Sequence, residues 1–269
     1  EEVLVVDSID SSAEVRRYLL ERSTNGGPYM TVAVQAGVGG GVIQFTDFDV
    51  DTDERSYTYR VQVQDSCGND AVTSNIGNTI HLRAEAGLDG FNRLIWNGYE
   101  DWAGQVSGYA ILRSVAGGPY TLLATNAPGV WSYVDDVRDL DATNGSFCYQ
   151  VQALEAGNPS GLNATSESNI VCAIQEAQVW IPNAFIAGGY NSNFVPVTAY
   201  TDLVDYEFTI INRWGQEIWT SNTPGEPWKG VVNGNYVPQG VYGYYCAFRN
   251  GEGRIFEKRG TVTFIWGLE

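Results

Sequence analysis

Apolar and polar residues alternate in short stretches along most of the chain. Residues 57–63 carry apolar side chains at every second position, and residues 149–153 repeat this arrangement with Gln150 and Gln152 between them. A period of two residues puts each set on one face of a strand, so these stretches predict half-buried β-strands. Gly, Tyr and Trp are abundant and no sustained helical period occurs, so the sequence predicts an all-β fold with many turns.

Part of the chain is an internal repeat. Five motifs recur in the same order at a spacing of 88 to 94 residues. The matched segments are 18–22 and 109–113, 26–29 and 117–120, 45–47 and 133–135, 56–63 and 146–153, and 74–76 and 168–170. Ordered matches at a nearly constant spacing indicate a domain duplication, and the repeat length fits one seven-stranded β-sandwich.

The two repeats resemble fibronectin type III domains, which are immunoglobulin-like β-sandwiches. The second copy, assigned to residues 84–175, looks complete, and Trp96 is expected to pack between its sheets. The first copy, assigned to residues 1–83, has room for only one or two strands before Tyr18. A sandwich that lacks a strand exposes backbone donors, so we expect upstream residues or a neighbouring domain to cover this edge.

A different pattern begins near residue 176. Residues 208–219 predict two short strands around a tight turn, where Gly215 supplies the left-handed conformation. Pro-Asn-Ala-Phe at 182–185 precedes this hairpin, and Pro-Gln-Gly-Val-Tyr at 238–242 follows it. In this order the motifs resemble the gliding-motility-associated C-terminal domain, the type B sorting domain of the Bacteroidetes type IX secretion system. Residues 176–269 are therefore assigned to a small C-terminal β-sandwich of this kind.

The resemblance implies a function for the whole chain. It implies the C-terminal region of a large secreted or cell-surface protein, with two stalk domains and a folded signal for export across the outer membrane. The implied partners are the type IX translocon and an outer-membrane partner barrel, with surface retention for gliding motility or adhesion. The expected sorting residues are Asn183, Phe185, Asn212, Arg213, Trp214, Gly215, Trp228, Gly240 and Tyr242.

The Asn-Arg-Trp-Gly turn has two interpretations. Asn212 and Gly215 are expected to form the turn itself. Trp214 either covers the end of the sandwich or joins Arg213 in an exposed docking patch, since Arg and Trp are enriched at interface hot spots. The segments after Phe185 and around Trp228 lack the acidic residues usual in the family, so a cation at its acidic loop is not expected.

The four cysteines indicate an oxidising compartment. Cys148 and Cys172 lie in two apolar, strand-like segments joined by a loop rich in Gly, Asn and Ser, and we predict a disulfide between them. Cys67 and Cys246 are either free or bonded outside the fragment. With one histidine, His81, and no Cys-x-x-Cys pair, the sequence does not indicate a zinc site.

The formal net charge of −17 disfavours binding to nucleic acid or to anionic membranes. No apolar run approaches the length of a membrane span, so the chain is not expected to span a membrane itself. The N-terminus also has no signal-peptide pattern, which favours a mature or excised fragment.

The sequence contains two further candidate sites. The four carboxylates of Asp47, Asp49, Asp51 and Asp53 alternate and would face one way on an extended segment. They are a candidate calcium site, although a solvated acidic loop is the preferred interpretation. Asp7-Ser8-Ile9 is similar to the Bacteroidetes O-glycosylation sequence, with Ser8 as the acceptor.

The sequence assembles no catalytic constellation. There is no nucleophile elbow, no phosphate-binding loop and no metal-ligand cluster, so we expect a non-enzymatic protein without a cofactor. Two alternatives stay open. One is an extracellular glycan-binding module that uses Trp and Tyr side chains, and the other is an accessory region of a secreted hydrolase.

Overall fold

The chain is all-β, as predicted. The computed structural model describes residues 1–9, 15–37, 41–100, 102–141, 143–159, 161, 163–249 and 253–267. Apart from one short 3-10 helix at Arg138–Leu140, the elements that it describes are strands. Buried apolar side chains form three separate clusters, which lie within residues 18–61, 80–200 and 185–264.

The first region forms a two-stranded sheet facing a larger one. Its strands are β1 (Val3–Ile9), β2 (Arg17–Thr24), β3 (Met30–Ala36), β4 (Gly41–Asp47), β5 (Tyr57–Gln64), β6 (Asp70–Thr73) and β7 (Gly77–Asn78). β1 pairs with β4, and the second sheet has the order β3-β2-β5-β6, with β7 also on β5. The inward side chains of β2 and β5, among them Tyr18, Leu20 and Tyr59, are buried between the sheets.

The second region repeats this arrangement with one additional strand. Its strands are β8 (Leu82–Ala86), β9 (Phe91–Trp96), β10 (Gln105–Val115), β11 (Thr121–Asn126), β12 (Ser132–Asp136), β13 (Ser146–Ala156), β14 (Thr165–Glu167) and β15 (Val171–Ile174). One sheet has the order β12-β9-β8, and the other has β11-β10-β13, with β14 and β15 both on β13. Trp96 is buried and its ring centroid lies 5.9 Å from that of Tyr109, which confirms its expected place between the sheets.

Both sandwiches contain the same buried polar network. In the second, Arg113 donates to the Asp135 carboxylate at 2.8 Å and the Tyr149 hydroxyl donates to it at 2.7 Å. The first sandwich places Arg22, Asp47 and Tyr59 at the matching repeat positions, with distances of 2.8 and 3.0 Å. An ionised carboxylate in a core needs such charged and hydrogen-bonding partners. The network therefore explains why the repeat keeps an acidic residue at the end of β4 and of β12.

The predicted disulfide is present. Cys148 on β13 and Cys172 on β15 are direct cross-strand partners, and their sulfur atoms are bonded. The other two cysteines are free thiols, with Cys67 exposed and Cys246 buried. The bond links β13 to β15, the last strand of the second sandwich, which is consistent with a protein folded in an oxidising compartment.

The junction between the first two sandwiches is closely bonded. Asn78 donates to the carbonyl of Gly98 at 2.9 Å, and Asn169 donates to the carboxylate of Asp53 at 3.2 Å. Ile80 and Leu82 are buried in the second core. Residues just before position 84 thus already pack on the core of the second sandwich.

The third region is built on a five-stranded sheet with the order β17-β24-β23-β19-β20. Its strands are β16 (Gln178–Trp180), β17 (Ala184–Ala187), β18 (Val197–Ala199), β19 (Asp202–Ile211), β20 (Glu217–Ser221), β21 (Val231–Val232), β22 (Asn235–Tyr236), β23 (Gly240–Arg249) and β24 (Ile255–Trp266). The edge strand β17 pairs parallel to β24, whereas the other pairs in the sheet are antiparallel. Two-stranded ribbons, β16–β18 and β21–β22, complete the region.

Tyr200 attaches this third region to the second sandwich. It is buried in the second core, and its hydroxyl donates to the carbonyl of Val137 at 3.0 Å. Its backbone N–H donates to the carbonyl of Asp141 at 2.8 Å, and its ring meets Phe147 edge-on at 6.3 Å. The C-terminal region is thus packed against its neighbour by an aromatic side chain as well as joined to it by the chain.

Removing the carboxylate of the polar network should destabilise the second sandwich. We expect Asp135→Ala to lower the free energy of unfolding by about 3 kcal/mol, because it leaves Arg113 mostly buried without its charged partner. The matched control is Asp136→Ala on the same strand, where the carboxylate is paired with Arg138 at the surface. Urea unfolding measures the free energy of unfolding of both variants, and Asp135→Ala should lose clearly more of it than Asp136→Ala. Equal losses of unfolding free energy would contradict this role of the network.

The two free thiols should react at very different rates. Burial raises the pKa of Cys246 to about 11, and the thiolate is the reactive form. At pH 8 an aromatic disulfide reagent should therefore label one thiol per native chain, Cys67, and a second only after denaturation. Rapid labelling of both thiols in the native protein would show that the third core is not closed around Cys246.

Candidate functional site

The Asn-Arg-Trp-Gly turn stands at one end of the five-stranded sheet, between β19 and β20. The side-chain oxygen of Asn212 accepts hydrogen bonds from the backbone N–H groups of Trp214 and Gln216, each at 3.0 Å. Gly215 adopts the left-handed conformation with φ 83°. The structure therefore assigns Asn212 and Gly215 to forming the turn.

Trp214 does not cover the end of the sandwich. Its side chain is 80% exposed, and the guanidinium carbon of Arg213 lies 5.4 Å from the centroid of its ring. Arg213 is also exposed. The turn had two interpretations, and the geometry supports the one with an exposed Arg213–Trp214 pair. Because most of the Trp214 side chain is exposed, it contributes little to the core.

The tip of this hairpin meets the beginning of β23. A Cβ atom placed on Gly240 would lie 3.9 Å from a terminal nitrogen of Arg213, so the two motifs are neighbours in space. Burial raises the pKa of Tyr242, and the positive charge of Arg213 partly opposes this rise. The structure thus brings together two motifs that lie about 25 residues apart in the sequence.

Three of the other expected sorting residues, Phe185, Trp228 and Tyr242, belong to the core. Phe185 and Trp228 are each 1% exposed, and their ring centroids lie 5.3 Å apart. Tyr242 is also buried, with its ring 5.2 Å from Trp228 and its hydroxyl donating to the carbonyl of Pro238. The exposed Asn183 contributes its backbone carbonyl, which accepts the N–H of Thr263 at 2.9 Å. The three buried rings shape the domain and cannot themselves contact a partner.

Further exposed apolar residues lie at the same end of the sheet. The indole N–H of Trp266, at the end of β24, donates to the carbonyl of Val237 at 3.1 Å while half of the side chain stays exposed. The two-residue strands next to Val237 and the first residues of β23 contribute the exposed Tyr236 and Val241. We call the set Arg213, Trp214, Tyr236, Val241 and Trp266 the end face.

Sequence reasoning missed three members of the end face: Tyr236, Val241 and Trp266. Val241 carries an available signal, since it alternates with the buried Tyr242 and Tyr244 along β23. Trp266 carries a misleading one, because it is in phase with the buried Val262 and Phe264. Trp266 lies beyond Phe264, the last residue of β24 that pairs with β23, and within the described residues its strand partner there is Ala187 of β17.

The four alternating aspartates do not converge. Asp47 is buried against Arg22 and Tyr59, Asp51 accepts the N–H of Glu54, and Asp53 accepts from Asn169. After Asp47 the chain forms a turn, whereas the predicted calcium site required an extended strand. Within the described ranges, no three His, Cys, Asp or Glu side chains are grouped to hold a metal ion.

Ser8, the candidate glycosylation acceptor, lies on β1 opposite Val42 and is exposed. The backbone N–H of Ser8 donates to the Asp7 carboxylate at 2.8 Å. Its modification stays a prediction.

An open cleft of about 460 Å³ lies between the first two sandwiches. Its described lining is Asp53, Leu82, Arg83, Ala84, Glu85, Asn169, Ile170, Val171 and Cys172. This set contains no aromatic ring on which a sugar could stack, so the cleft does not match the glycan-binding alternative.

One protein-family model matches the third region of the chain. Residues 179–264 match the model of the CHU_C Type IX secretion signal domain. The matched segment contains the whole Asn-Arg-Trp-Gly hairpin and most of the end face. The secretion signal domain implies export and recognition by the secretion system.

The described part of the chain contains no helix that is long and apolar enough to cross a membrane.

Other comparisons describe the chain as a whole. No curated protein sequence matches it. One similar solved structure is a tetra-tandem repeat from the extending region of a large adhesion protein, with 14% identity and a TM-score of 0.38 over 98% of this chain and 74% of the other. Another is the FN1–FN3 region of chicken CNTN1, with 12% identity and a TM-score of 0.27 over 98% and 95%.

The core and the end face should respond differently to loss of a tryptophan. We expect Trp228→Ala to lower the free energy of unfolding by about 4 kcal/mol, because it leaves a cavity among Phe185, Phe194 and Phe264. Trp214→Ala should change it by no more than about 0.5 kcal/mol, since the ring is exposed. Denaturant unfolding followed by fluorescence measures both. A large loss from Trp214→Ala would mean that this ring stabilises the fold.

Proposed function

We propose that this chain is the C-terminal region of a secreted or cell-surface protein, and that its last domain is a folded signal read through the end face. The two sandwiches serve as a stalk that holds the signal away from the rest of the protein. The observation that carries the proposal is the exposed Arg213–Trp214 pair at the tip of a hairpin inside the secretion signal domain.

The end face has the character of a protein-binding surface. Exposed apolar side chains that cluster beside a charged group mark interaction sites on soluble proteins. Trp and Arg are also the residue types that contribute most to interface hot spots. Because Trp214 contributes little to the core, its exposure is best explained by contact with a partner.

The proposed partners are the type IX translocon and an outer-membrane partner barrel. The large sheet offers two edge strands, β17 and β20, through which a partner could add a strand. Recognition would then combine the shape of the end face with backbone pairing at an edge. A folded domain is needed for both, because the end face is assembled from segments that are distant in the sequence.

The rest of the chain fits an extracellular stalk. Its disulfide suits an oxidising compartment, and a strongly negative charge keeps an exposed protein soluble. Surface retention, and a role in gliding motility or adhesion, are part of this proposal. The protein acts in it by binding and not by catalysis.

Secretion of a reporter tests the proposal. Residues 1–269 would be fused behind an exported fluorescent reporter in a host with type IX secretion, with Arg213→Ala and Trp214→Ala combined in one variant. We expect the wild-type fusion to reach the cell surface or the medium, and the variant to accumulate in the periplasm at least about tenfold more, as expected for loss of hot-spot residues.

The matched control is Trp180→Ala, which removes another exposed tryptophan from the separate β16–β18 ribbon. It should be secreted like the wild type. Failure of the wild-type fusion would contradict the signal function itself. Normal secretion of the double variant would contradict only the role of the end face.

A further inference from the structure

The second sandwich holds Tyr200 in a socket next to the C-terminal region. The ring of Tyr200 meets Phe147 edge-on, and its backbone N–H donates to the carbonyl of Asp141. A Cβ atom on Gly145 would lie 2.9 Å from the Cβ of Tyr200 and 3.0 Å from the carbonyl oxygen of Gln175. Gly145 therefore allows three segments of backbone to meet. We call Asp141, Gly145, Phe147 and Gln175 the socket.

The first sandwich has a different residue at the centre of this arrangement. Residues 56–63 align with 146–153 in the repeat, so Arg55 stands at the position of Gly145. Gly145 also adopts a left-handed conformation, with φ 81°, which L side chains rarely accept. A side chain at this position would displace Tyr200. The socket is therefore particular to the copy that precedes the C-terminal domain.

The disulfide lies beside the socket. Cys148 follows Phe147 on β13, and all four residues of β15 pair with the beginning of that strand. Gln175 comes directly after β15, and its N–H donates to the carbonyl of Gly145 at 2.9 Å. The position of Gln175 thus depends on a four-residue strand, which the disulfide fixes to β13 through Cys172.

The first sandwich has the same strand pair without a disulfide. Thr58 and Asn78 are cross-strand partners at the positions that match Cys148 and Cys172, and β7 contains two residues where β15 contains four. Short strands at the end of a domain open more readily than core strands. Cys172 is exposed and lines the open cleft between the first two sandwiches, so an external thiol can reach the bond.

We propose that this disulfide is a redox switch that controls docking of the C-terminal domain on the second sandwich. A dithiol reductant breaks the bond between Cys148 and Cys172 by passing two electrons and two protons to their sulfur atoms, and the reductant itself becomes a disulfide. β15 then separates from β13, Gln175 leaves Gly145, and Tyr200 leaves the socket. Oxidation by a disulfide-bearing oxidant, which becomes a dithiol, reverses these steps.

The C-terminal domain stays folded when it undocks, because its core contains none of the socket residues. The switch therefore changes how the domain is held and not its own structure. The proposal rests on the proposed function only in treating this domain as the signal. Chains whose second sandwich is oxidised present the signal from a fixed position, and reduced chains do not.

Amide hydrogen exchange of the whole chain tests the switch, with and without dithiothreitol. The reporter is the N–H of Tyr200, which is bonded to the carbonyl of Asp141. A variant with Cys148→Thr and Cys172→Asn carries the residue pair that the first sandwich uses at this position and cannot form the bond. The amides of β9 report on the fold of the second sandwich, and those of β19 report on the C-terminal domain.

We expect reduction to speed exchange of the Tyr200 N–H at least about tenfold while β9 and β19 keep their protection. The variant should match the reduced chain with or without dithiothreitol. Equal protection of Tyr200 in the oxidised chain and in either bond-free form would overturn the proposal. So would loss of protection throughout β9 or β19, because the bond would then hold a whole domain together. The experiment involves no secretion, so its failure is distinct from failure of the reporter fusion.

Discussion

The structure depends on burying a small set of aromatic rings between sheets. In the third core, Trp228 contacts Phe185, Tyr242 and Phe264, with ring centroids 5.2 to 6.0 Å apart. These rings come from β17, from the segment before β21, and from β23 and β24, so one cluster ties together segments that span most of the domain. Glycine makes the packing possible: a Cβ on Gly230 would lie 2.5 Å from the ring of Phe264. The turn after Trp228 therefore cannot carry a larger residue without displacing the core.

This core separates two roles that are mixed in the sequence motifs. Pro-Asn-Ala-Phe and the segment around Trp228 supply rings to the interior, whereas Asn-Arg-Trp-Gly places the ring of Trp214 on the outside. The first group makes the domain fold, and the second is available to a partner. A motif that identifies the family thus contains residues that fold the domain as well as residues that could be read by the secretion machinery.

The C-terminal domain is also attached to the second sandwich by a buried aromatic ring. Tyr200 is an aromatic side chain of the C-terminal region that is buried in the second sandwich, where it adopts a left-handed backbone conformation with φ 56°. Such a conformation is uncommon for a residue with a bulky side chain and needs surrounding contacts to hold it. The hydrogen bonds to Val137 and Asp141 provide these contacts. The signal domain is therefore presented from a defined position on the stalk.

Much of this architecture could be predicted from the sequence. The two-residue period of apolar side chains predicts the strands, and the duplication predicts two related sandwiches. The positions of Cys148 and Cys172 predict the disulfide. The burial of Tyr200 could not be predicted, because it depends on a contact between two domains. The burial of Asp47 against Arg22 also depends on tertiary structure, since Arg22 lies 25 residues earlier. Exposure of Trp214 was one of two open interpretations, because a turn motif specifies its backbone and leaves the direction of its side chain open.

The central claim is that the end face touches the secretion machinery while the domain stays folded. Its most direct test is to place a photo-activated cross-linking residue at position 214 or, as a reference, at position 180, and to irradiate secreting cells. The account predicts a covalent adduct between position 214 and an outer-membrane component of the secretion system, and none from position 180. Adducts from position 180 alone, or equal adducts from both positions, would contradict it.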